Sequence, residues 1–180
     1  GACRTSAMGG NIQGCPDGHA SRVVFHSCKH RLCPQCNTLP KERWLMKMRS
    51  RLIDCAHHHL IFTLPHQLHD LWRYNRAWLM QVLFSSVAET LKTLCRDAKY
   101  LDSMPGFILA LHTWGRSLQL HPHIHCLISD GGLKNNEWRR PKGSCFLPAR
   151  VVMCLFRGKL LAALRAALED GTLRLPPDLS

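Results

Sequence analysis

Alternation of polar and apolar residues predicts a β-strand at residues 121–128. Three histidines, His121, His123 and His125, occupy every second position at its start. Because residues two apart lie on the same face of a strand, the histidines are expected on one face and the residues between them on the other. The residues predicted to point into a core are Ile124 and Cys126.

Two other apolar segments, residues 57–64 and 107–114, have the length and composition of strands. A turn at residues 115–118 would connect the second segment to the histidine strand as a hairpin, so these strands are expected to be antiparallel neighbours. His112 would then lie opposite His121 or His123, although the sequence does not determine the register. The histidine strand is expected to end at residues 130–132.

Apolar residues recur at helical spacing in three segments. Residues 67–99 contain no proline or glycine and are predicted to form one long helix. Residues 40–53 carry five basic side chains beside apolar ones and predict a basic amphipathic helix, with Thr38 as its N-cap. Residues 149–169 form the third predicted helix, after a short predicted strand at residues 144–147.

The composition indicates an anionic partner. The chain has 180 residues, with 24 Lys and Arg against 12 Asp and Glu, and a formal charge of +12. Nucleic acid is the first candidate partner and a membrane surface the second. No apolar run reaches the length of a membrane span and no secretory signal opens the sequence, so a cytoplasmic protein without a membrane partner is expected. Its ten cysteines are then reduced thiols or metal ligands.

The positive charge is concentrated towards both ends of the chain. Residues 1–56 carry nine basic and three acidic side chains, residues 57–110 five and four, and residues 111–180 ten and five. The basic helix could lie along a phosphate backbone, or it could simply present a solvated face. The candidate DNA-binding residues are Lys41, Arg43, Lys47, Arg49 and Arg51, followed by Arg116, Arg139, Arg140 and Lys142.

A cysteine-rich segment near the start predicts a structural zinc site. Residues 3–36 carry five cysteines and few large apolar residues, so this segment cannot fold on a core of its own. The last three cysteines have the spacing of a zinc knuckle, in which a C-x2-C turn brings two sulfurs to one ion. The expected ligands are Cys15, Cys28, Cys33 and Cys36, with His19 as the alternative and Cys3, His26 and His30 also near in sequence.

The histidine strand predicts a second metal site. Neutral imidazoles bind borderline divalent metals, and ligands from two neighbouring strands would leave coordination positions open for a substrate. The candidate ligands are two or three of His121, His123 and His125, together with His112 from the neighbouring strand. Polar residues on a solvated sheet face are the other interpretation of this pattern. The histidine run at residues 57–59 precedes the apolar part of its strand and is left outside the predicted site.

Several motifs, in this order along the chain, resemble those of one family. The knuckle is followed by Phe62-Thr-Leu-Pro-His66, Leu111-His-Thr-Trp-Gly115, the His121-Pro-His-Ile-His125 strand and Asp130-Gly-Gly-Leu133. Together they resemble the rolling-circle insertion-sequence transposases of the IS-ninety-one type, which belong to the His-hydrophobe-His (HUH) single-strand nucleases. The resemblance covers nearly the whole chain.

The resemblance implies an α+β fold, in which a small zinc-knuckle module precedes an antiparallel sheet with packed helices and a ferredoxin/RRM-like core. In such enzymes the pair matching His123 and His125, with a polar residue from a neighbouring strand, holds Mg²⁺ or Mn²⁺ and polarises a phosphate of single-stranded DNA at the ends of the element. The resemblance thus favours His123, His125 and His112 as the ligands, with His121 as the alternative. A tyrosine on a later helix attacks that phosphate and forms a 5′-phosphotyrosine bond. The resemblance also implies structural Zn²⁺ and a bacterial, cytoplasmic protein.

The resemblance implies a zinc-binding module at residues 1–40, a basic linking helix at 41–56 and a nuclease-like domain at 57–180 that is incomplete at its C-terminal end. The chain departs from the family at Gly18, where a second cysteine is usual. Its only tyrosines, Tyr74 and Tyr100, both precede the histidine strand. The catalytic tyrosine is therefore expected beyond Ser180, in a longer protein.

Two other functions remain open from the sequence. The chain could be a non-enzymatic, zinc-dependent nucleic-acid-binding module whose histidines are structural. It could also be a metallohydrolase that uses its His-x-His pair. Such enzymes generally add a nearby Asp-His, whereas this chain offers only Asp130 past the strand end.

Overall fold

The computed structural model describes residues 1–143 and 146–177. The chain divides into two units, Gly1–Leu52 and Ile53–Ser180. Among the described residues, no helix combines the length and the apolar character that crossing a membrane requires.

The first unit is a hairpin and a helix with almost no buried apolar side chain. Its strands β1 (Gly10–Gly14) and β2 (Ser21–Phe25) pair antiparallel and are exposed throughout. The helix α1 (Pro34–Arg49) contains no buried residue. Among the described residues of this unit, Cys3 is the buried hydrophobic one. Apolar burial therefore cannot stabilise this unit, and another source of stability is needed.

The basic helix begins earlier than predicted. The prediction placed it at residues 40–53 with Thr38 as N-cap, but α1 begins at Pro34, with Cys33 at the N-cap position. The fixed φ of a proline suits the first position of a helix, which explains the earlier start. Thr38 lies inside α1 and donates its hydroxyl to the carbonyl of Pro34. The expected domain boundary at residue 40 also falls within this helix.

The second unit is built on a four-stranded antiparallel sheet. Its strands are β3 (His57–Thr63), β4 (Met104–Trp114), β5 (Leu120–Lys134) and β6 (Glu137–Arg139). Their order is β3-β5-β4, and β6 also pairs with β5, so β5 is central. The α+β class and the antiparallel hairpin between β4 and β5 are confirmed.

Strand β5 continues past residues 130–132, where it was predicted to end. Gly131 has φ 145°, and a Cβ built there would lie 2.6 Å from the ring of Trp138. A Cβ on Gly132 would lie 2.5 Å from the backbone of Met104. Both glycines therefore allow the close approach of neighbouring strands rather than a turn. The turn comes at residues 135–136, both with positive φ, and leads into β6.

The helices of the second unit are α2 (His69–Tyr74), α3 (Arg76–Arg96) and α4 (Ala149–Glu169). The prediction of one long helix at residues 67–99 is therefore wrong in its continuity, because the helix is interrupted at Asn75. The buried side chain of Asn75 donates to the carbonyl of Arg174 over 2.8 Å and accepts from the Arg174 N–H over 2.9 Å. These hydrogen bonds to a distant segment account for the interruption.

One face of the sheet packs against α3 and α4, and the other is open in this unit. Ile124, Cys126 and Ile128 of β5 are fully buried in the core, and the rings of Phe62 and Phe156 pack 5.1 Å apart. The prediction that Ile124 and Cys126 point into a core is confirmed. On the open face Ile61 is 55% exposed. Of the strand predicted at residues 144–147, the first two residues lie outside the described ranges and the last two form a bend.

Candidate metal centres

Four cysteines of the first unit form a group that could hold one ion. Cys3, Cys28, Cys33 and Cys36 each offer a sulfur, and these sulfurs all lie within 4.8 Å of one another. The Cys3 and Cys36 sulfurs are 3.3 Å apart, and those of Cys28 and Cys36 are 3.7 Å apart. Four thiolates that bind one zinc ion tetrahedrally lie about 3.8 Å apart, so the group fits zinc.

The sequence prediction chose Cys15 as the fourth sulfur, whereas the structure brings in Cys3. Cys15 lies in a separate group with Asp17 and His19, in the turn between β1 and β2. Its sulfur is 3.7 Å from Nδ1 of the alternative ligand His19. The backbone N–H of Arg4 donates to the carbonyl of His26, which fixes the chain start beside the knuckle and carries Cys3 into the group.

The surroundings lower the pKa of two of the four sulfurs, those of Cys33 and Cys36, and raise that of Cys3. The hydrogen bond with Cys3 is foremost among the contacts that lower the pKa of Cys36 to about 6, against the opposing effect of burial. The Cys28 amide lowers the pKa of Cys3, but hydrogen bonds with the other cysteines, together with burial, raise it to about 12. A bound zinc ion requires deprotonated thiols, so it would take the place of the proton that the raised pKa leaves on Cys3.

Three histidines of the second unit form the other group, on the open face of the sheet. His112 of β4 pairs directly with His123 of β5, and His125 follows on the same face. One ring nitrogen of each lies within 4.8 Å of those of the other two. The ring centroids of His112 and His125 are 4.3 Å apart, and those of His123 and His125 are 4.9 Å apart. The structure thus brings together the three residues chosen from the sequence.

Two hydrogen bonds orient the rings of β5. Nδ1 of His123 lies 2.6 Å from the carbonyl oxygen of His121 and donates to it, which leaves Nε2 as the free nitrogen. Nδ1 of His125 lies 2.8 Å from Nε2 of His59, and these two rings stack at 5.0 Å. His121 therefore supplies a carbonyl to this arrangement, and its ring lies outside the group of three.

His59 is outside the site predicted from the sequence, although its ring contacts that site. The run at residues 57–59 contains residues of both faces of β3, and only the register shows which one faces His125. His58 lies on the other face of β3. There it pairs with Asp130 over 2.7 Å and stacks on Phe146. The register between β3 and β5 is a long-range property that no local pattern reports.

The histidine group could hold a metal ion. Partial burial, followed by the nearby His112, His123 and His59, lowers the pKa of His125. A neutral imidazole presents the lone pair that a metal requires. Three imidazoles on an open face would leave other coordination positions for water or a phosphate.

One aromatic side chain lies beside the histidine group. The Trp114 ring stacks on the His112 ring with a centroid separation of 5.6 Å and an interplanar angle of 7°. Trp114 is the last residue of β4 and is 53% exposed. The turn that follows carries the exposed Arg116.

The predicted DNA-binding cations are all exposed. Those of the first unit lie on α1, except for Arg51, which follows it. In the second unit Arg139 pairs with Glu137 over 2.8 Å, and Nζ of Lys142 donates to the Ala98 carbonyl over 2.6 Å.

The two tyrosines lie in different settings. Tyr74 ends α2 and is exposed, whereas Tyr100 lies in the turn after α3 and packs against the core.

Two family models match the chain. Residues 1–64 match a model described as a transposase zinc-binding domain, and residues 106–179 match one described as a putative transposase. The first contains the four-cysteine group and the second contains the three histidines. Together these two matches make the chain similar to transposases over most of its length. The chain includes the zinc-binding domain of the family, and the four-cysteine group supports a structural zinc.

Two curated relatives agree with this assignment. The putative transposase y4qJ of Sinorhizobium fredii (strain NBRC 101917 / NGR234) is 38% identical over 179 residues, which are 98% of this chain and 45% of the relative. The transposase for insertion sequence element IS801 of Pseudomonas savastanoi pv. phaseolicola is 38% identical over 141 residues, 77% of this chain and 33% of the relative. The chain thus spans less than half the length of each relative. No solved structure matches it.

Proposed function

We propose that this chain is the zinc-binding and metal-binding portion of a DNA transposase of the rolling-circle type, which nicks and transfers single-stranded DNA. The observation that carries the proposal is the convergence of His112, His123 and His125 on the open face of the sheet. By the family resemblance these residues would hold Mg²⁺ or Mn²⁺, with water and phosphate oxygens as the remaining ligands, and Cys3, Cys28, Cys33 and Cys36 would hold the structural Zn²⁺.

Neighbouring residues orient the imidazoles of the histidine group, so that a bound ion could contact a phosphate. When bound, a divalent ion there would supply Lewis-acid polarisation of a phosphodiester and stabilise charge on the leaving 3′ oxygen. The carbonyl of His121 and the ring of His59 hold two of the imidazoles in place. His112 and His125 are partly exposed on this face, whereas His123 is only 9% exposed, so a DNA strand would meet the first two.

The proposal gives the chain the metal site and not the attacking group. In the resembling family a tyrosine forms the 5′-phosphotyrosine bond, and neither Tyr74 nor Tyr100 is assigned that role. The exposed cations Lys41, Arg43 and Arg116 support contact with the DNA backbone at the ends of a mobile element.

A Mn²⁺ titration of the zinc-loaded protein tests the metal site. We expect one Mn²⁺ site in the wild type and none in the His112→Ala, His123→Ala, His125→Ala triple variant, with zinc content unchanged in both. The matched control is His66→Ala, which removes an exposed histidine outside the group. Equal Mn²⁺ binding by the wild type and the triple variant would contradict the proposal.

The second candidate function is a non-enzymatic zinc-dependent nucleic-acid-binding module, favoured by the zinc-binding domain match. It predicts DNA binding and zinc without any Mn²⁺ site, so the same titration separates the two functions.

Incubation of the chain with labelled single-stranded DNA and Mn²⁺ tests whether the chain carries an attacking group. We expect no covalent adduct, and an abundant one would show that a residue of this chain attacks.

A further inference from the structure

We propose that Trp114 forms a nucleobase-stacking subsite beside the histidine group, which holds one base of a single-stranded DNA next to the metal position. The inference rests on the proposed function, because it takes the ligand to be single-stranded DNA. It adds a residue and an interaction that neither the histidine group nor the basic side chains supply.

The Trp114 ring lies beside the histidine group. Trp114 lies two residues after His112 in β4, across a register irregularity in the pairing with β5, and its ring stacks directly on the His112 ring. The two rings are almost parallel, with an interplanar angle of 7°. His112 belongs to the metal group, and its ring thereby connects that group to the tryptophan.

The Trp114 ring is also exposed. Tryptophan is a large apolar side chain, and 53% of this one is exposed. Among the described residues, His112 is the aromatic partner of Trp114, and no lysine or arginine lies over its ring. A flat apolar surface of this kind, beside a cleavage site for nucleic acid, suits a base, since every base has a π face.

A cationic side chain, Arg116, follows Trp114 two residues later in the chain. Arg116 is exposed in the turn between β4 and β5 and has no ion pair among the described residues. A base stacked on Trp114 would extend the column of rings away from His112, with its own backbone near this cation. The adjacent phosphate would then face the histidine group. Stacking would thus set which phosphate of the strand is presented, without a sequence-specific hydrogen bond.

The test compares two oligomers that have equal backbone charge, oligothymidine and an abasic deoxyribose-phosphate oligomer of the same length. Affinities are measured on the zinc-loaded chain without added Mg²⁺ or Mn²⁺. We expect Trp114→Leu to lose roughly 5- to 100-fold in affinity for oligothymidine, the range of one base stack, and little for the abasic oligomer. Trp114→Phe should fall between the wild type and the leucine variant.

The control variant is Leu118→Ala, which removes an apolar side chain that is 80% exposed in the turn after β4. It should leave the ratio of the two affinities unchanged. An equal loss for both oligomers in Trp114→Leu, or no loss for either, would overturn the subsite. The circular dichroism spectrum of each variant shows whether the fold is retained.

The outcomes separate this inference from the proposed function. A wild-type chain that binds Mn²⁺ but shows no preference for oligothymidine removes the subsite and leaves the metal site. A chain that prefers oligothymidine through Trp114 but binds no Mn²⁺ removes the metal site and leaves the subsite.

Discussion

At the scale of single residues, His59 holds a proposed metal ligand without belonging to the ligand group. It contacts His125 through a hydrogen bond of 2.8 Å and a parallel ring stack. Outer partners of this kind fix the orientation of a ligand, and their loss typically costs about 10- to 100-fold in metal affinity. We therefore expect His59→Ala to weaken Mn²⁺ binding by about that factor, measured by electron paramagnetic resonance of free Mn²⁺.

His57→Ala is the matched control for this prediction, because His57 lies on the same strand two residues earlier. It should bind Mn²⁺ like the wild type. If His59→Ala bound Mn²⁺ normally, the hydrogen bond to His125 would have no positioning role. If it lost the ion as completely as His125→Ala, His59 would itself be a ligand.

Single residues also show what a local pattern can report. The alternation in β5 placed His121, His123 and His125 on one face, the family resemblance favoured His123 and His125 among them, and the short hairpin was enough to bring in His112. Cys3 was only a secondary candidate and His59 was left out, for one shared reason. Each reaches its group through contacts with residues far away in sequence, Cys3 through the chain start beside His26 and His59 through the pairing of β3 with β5.

At the scale of elements, β5 supports the histidine group from its buried face. Ile124 lies between His123 and His125 in sequence and is fully buried against the helices. Truncation of a buried isoleucine costs about 2–5 kcal/mol through lost burial and the cavity left behind. Ile124→Ala should therefore lower the free energy of unfolding of the second unit by about this amount, measured by denaturant titration followed by circular dichroism.

Ile61→Ala provides the comparison, since Ile61 pairs with His125 across the sheet but lies on the open face. We expect a change within about 0.5 kcal/mol for this exposed position. Similar losses in both variants would mean that the two faces of the sheet are not distinguished by burial.

The helices show where element prediction needs tertiary contacts. Helix α4 follows its apolar period and matches the predicted residues 149–169. No proline or glycine in the sequence predicts the interruption between α2 and α3. Its cause is the hydrogen bonding of Asn75 to Arg174. For α1, the proline at residue 34 was a local signal, and the choice of Thr38 as N-cap overlooked it.

At the scale of the whole molecule, the two units depend on different sources of stability. The second unit has a continuous apolar core that joins the sheet to α3 and α4. In the first unit β1, β2 and α1 contain no buried residue, so its order depends on the four-cysteine group. Metal binding to a site that exists only in the folded state contributes its free energy to folding.

Removal of zinc should therefore unfold one unit and spare the other. We expect a chelator to accelerate amide hydrogen exchange throughout β1, β2 and α1, whereas β4 and β5 keep their protection. Hydrogen exchange read by mass spectrometry reports both units in one experiment. Cys3→Ser should reproduce the effect of the chelator, since Cys3 belongs to the sulfur group, and Cys15→Ser should not, since Cys15 lies outside it. The reverse result for the two serine variants would restore the assignment of Cys15, and exchange that rises equally in β5 would show that the second unit does not fold independently of zinc.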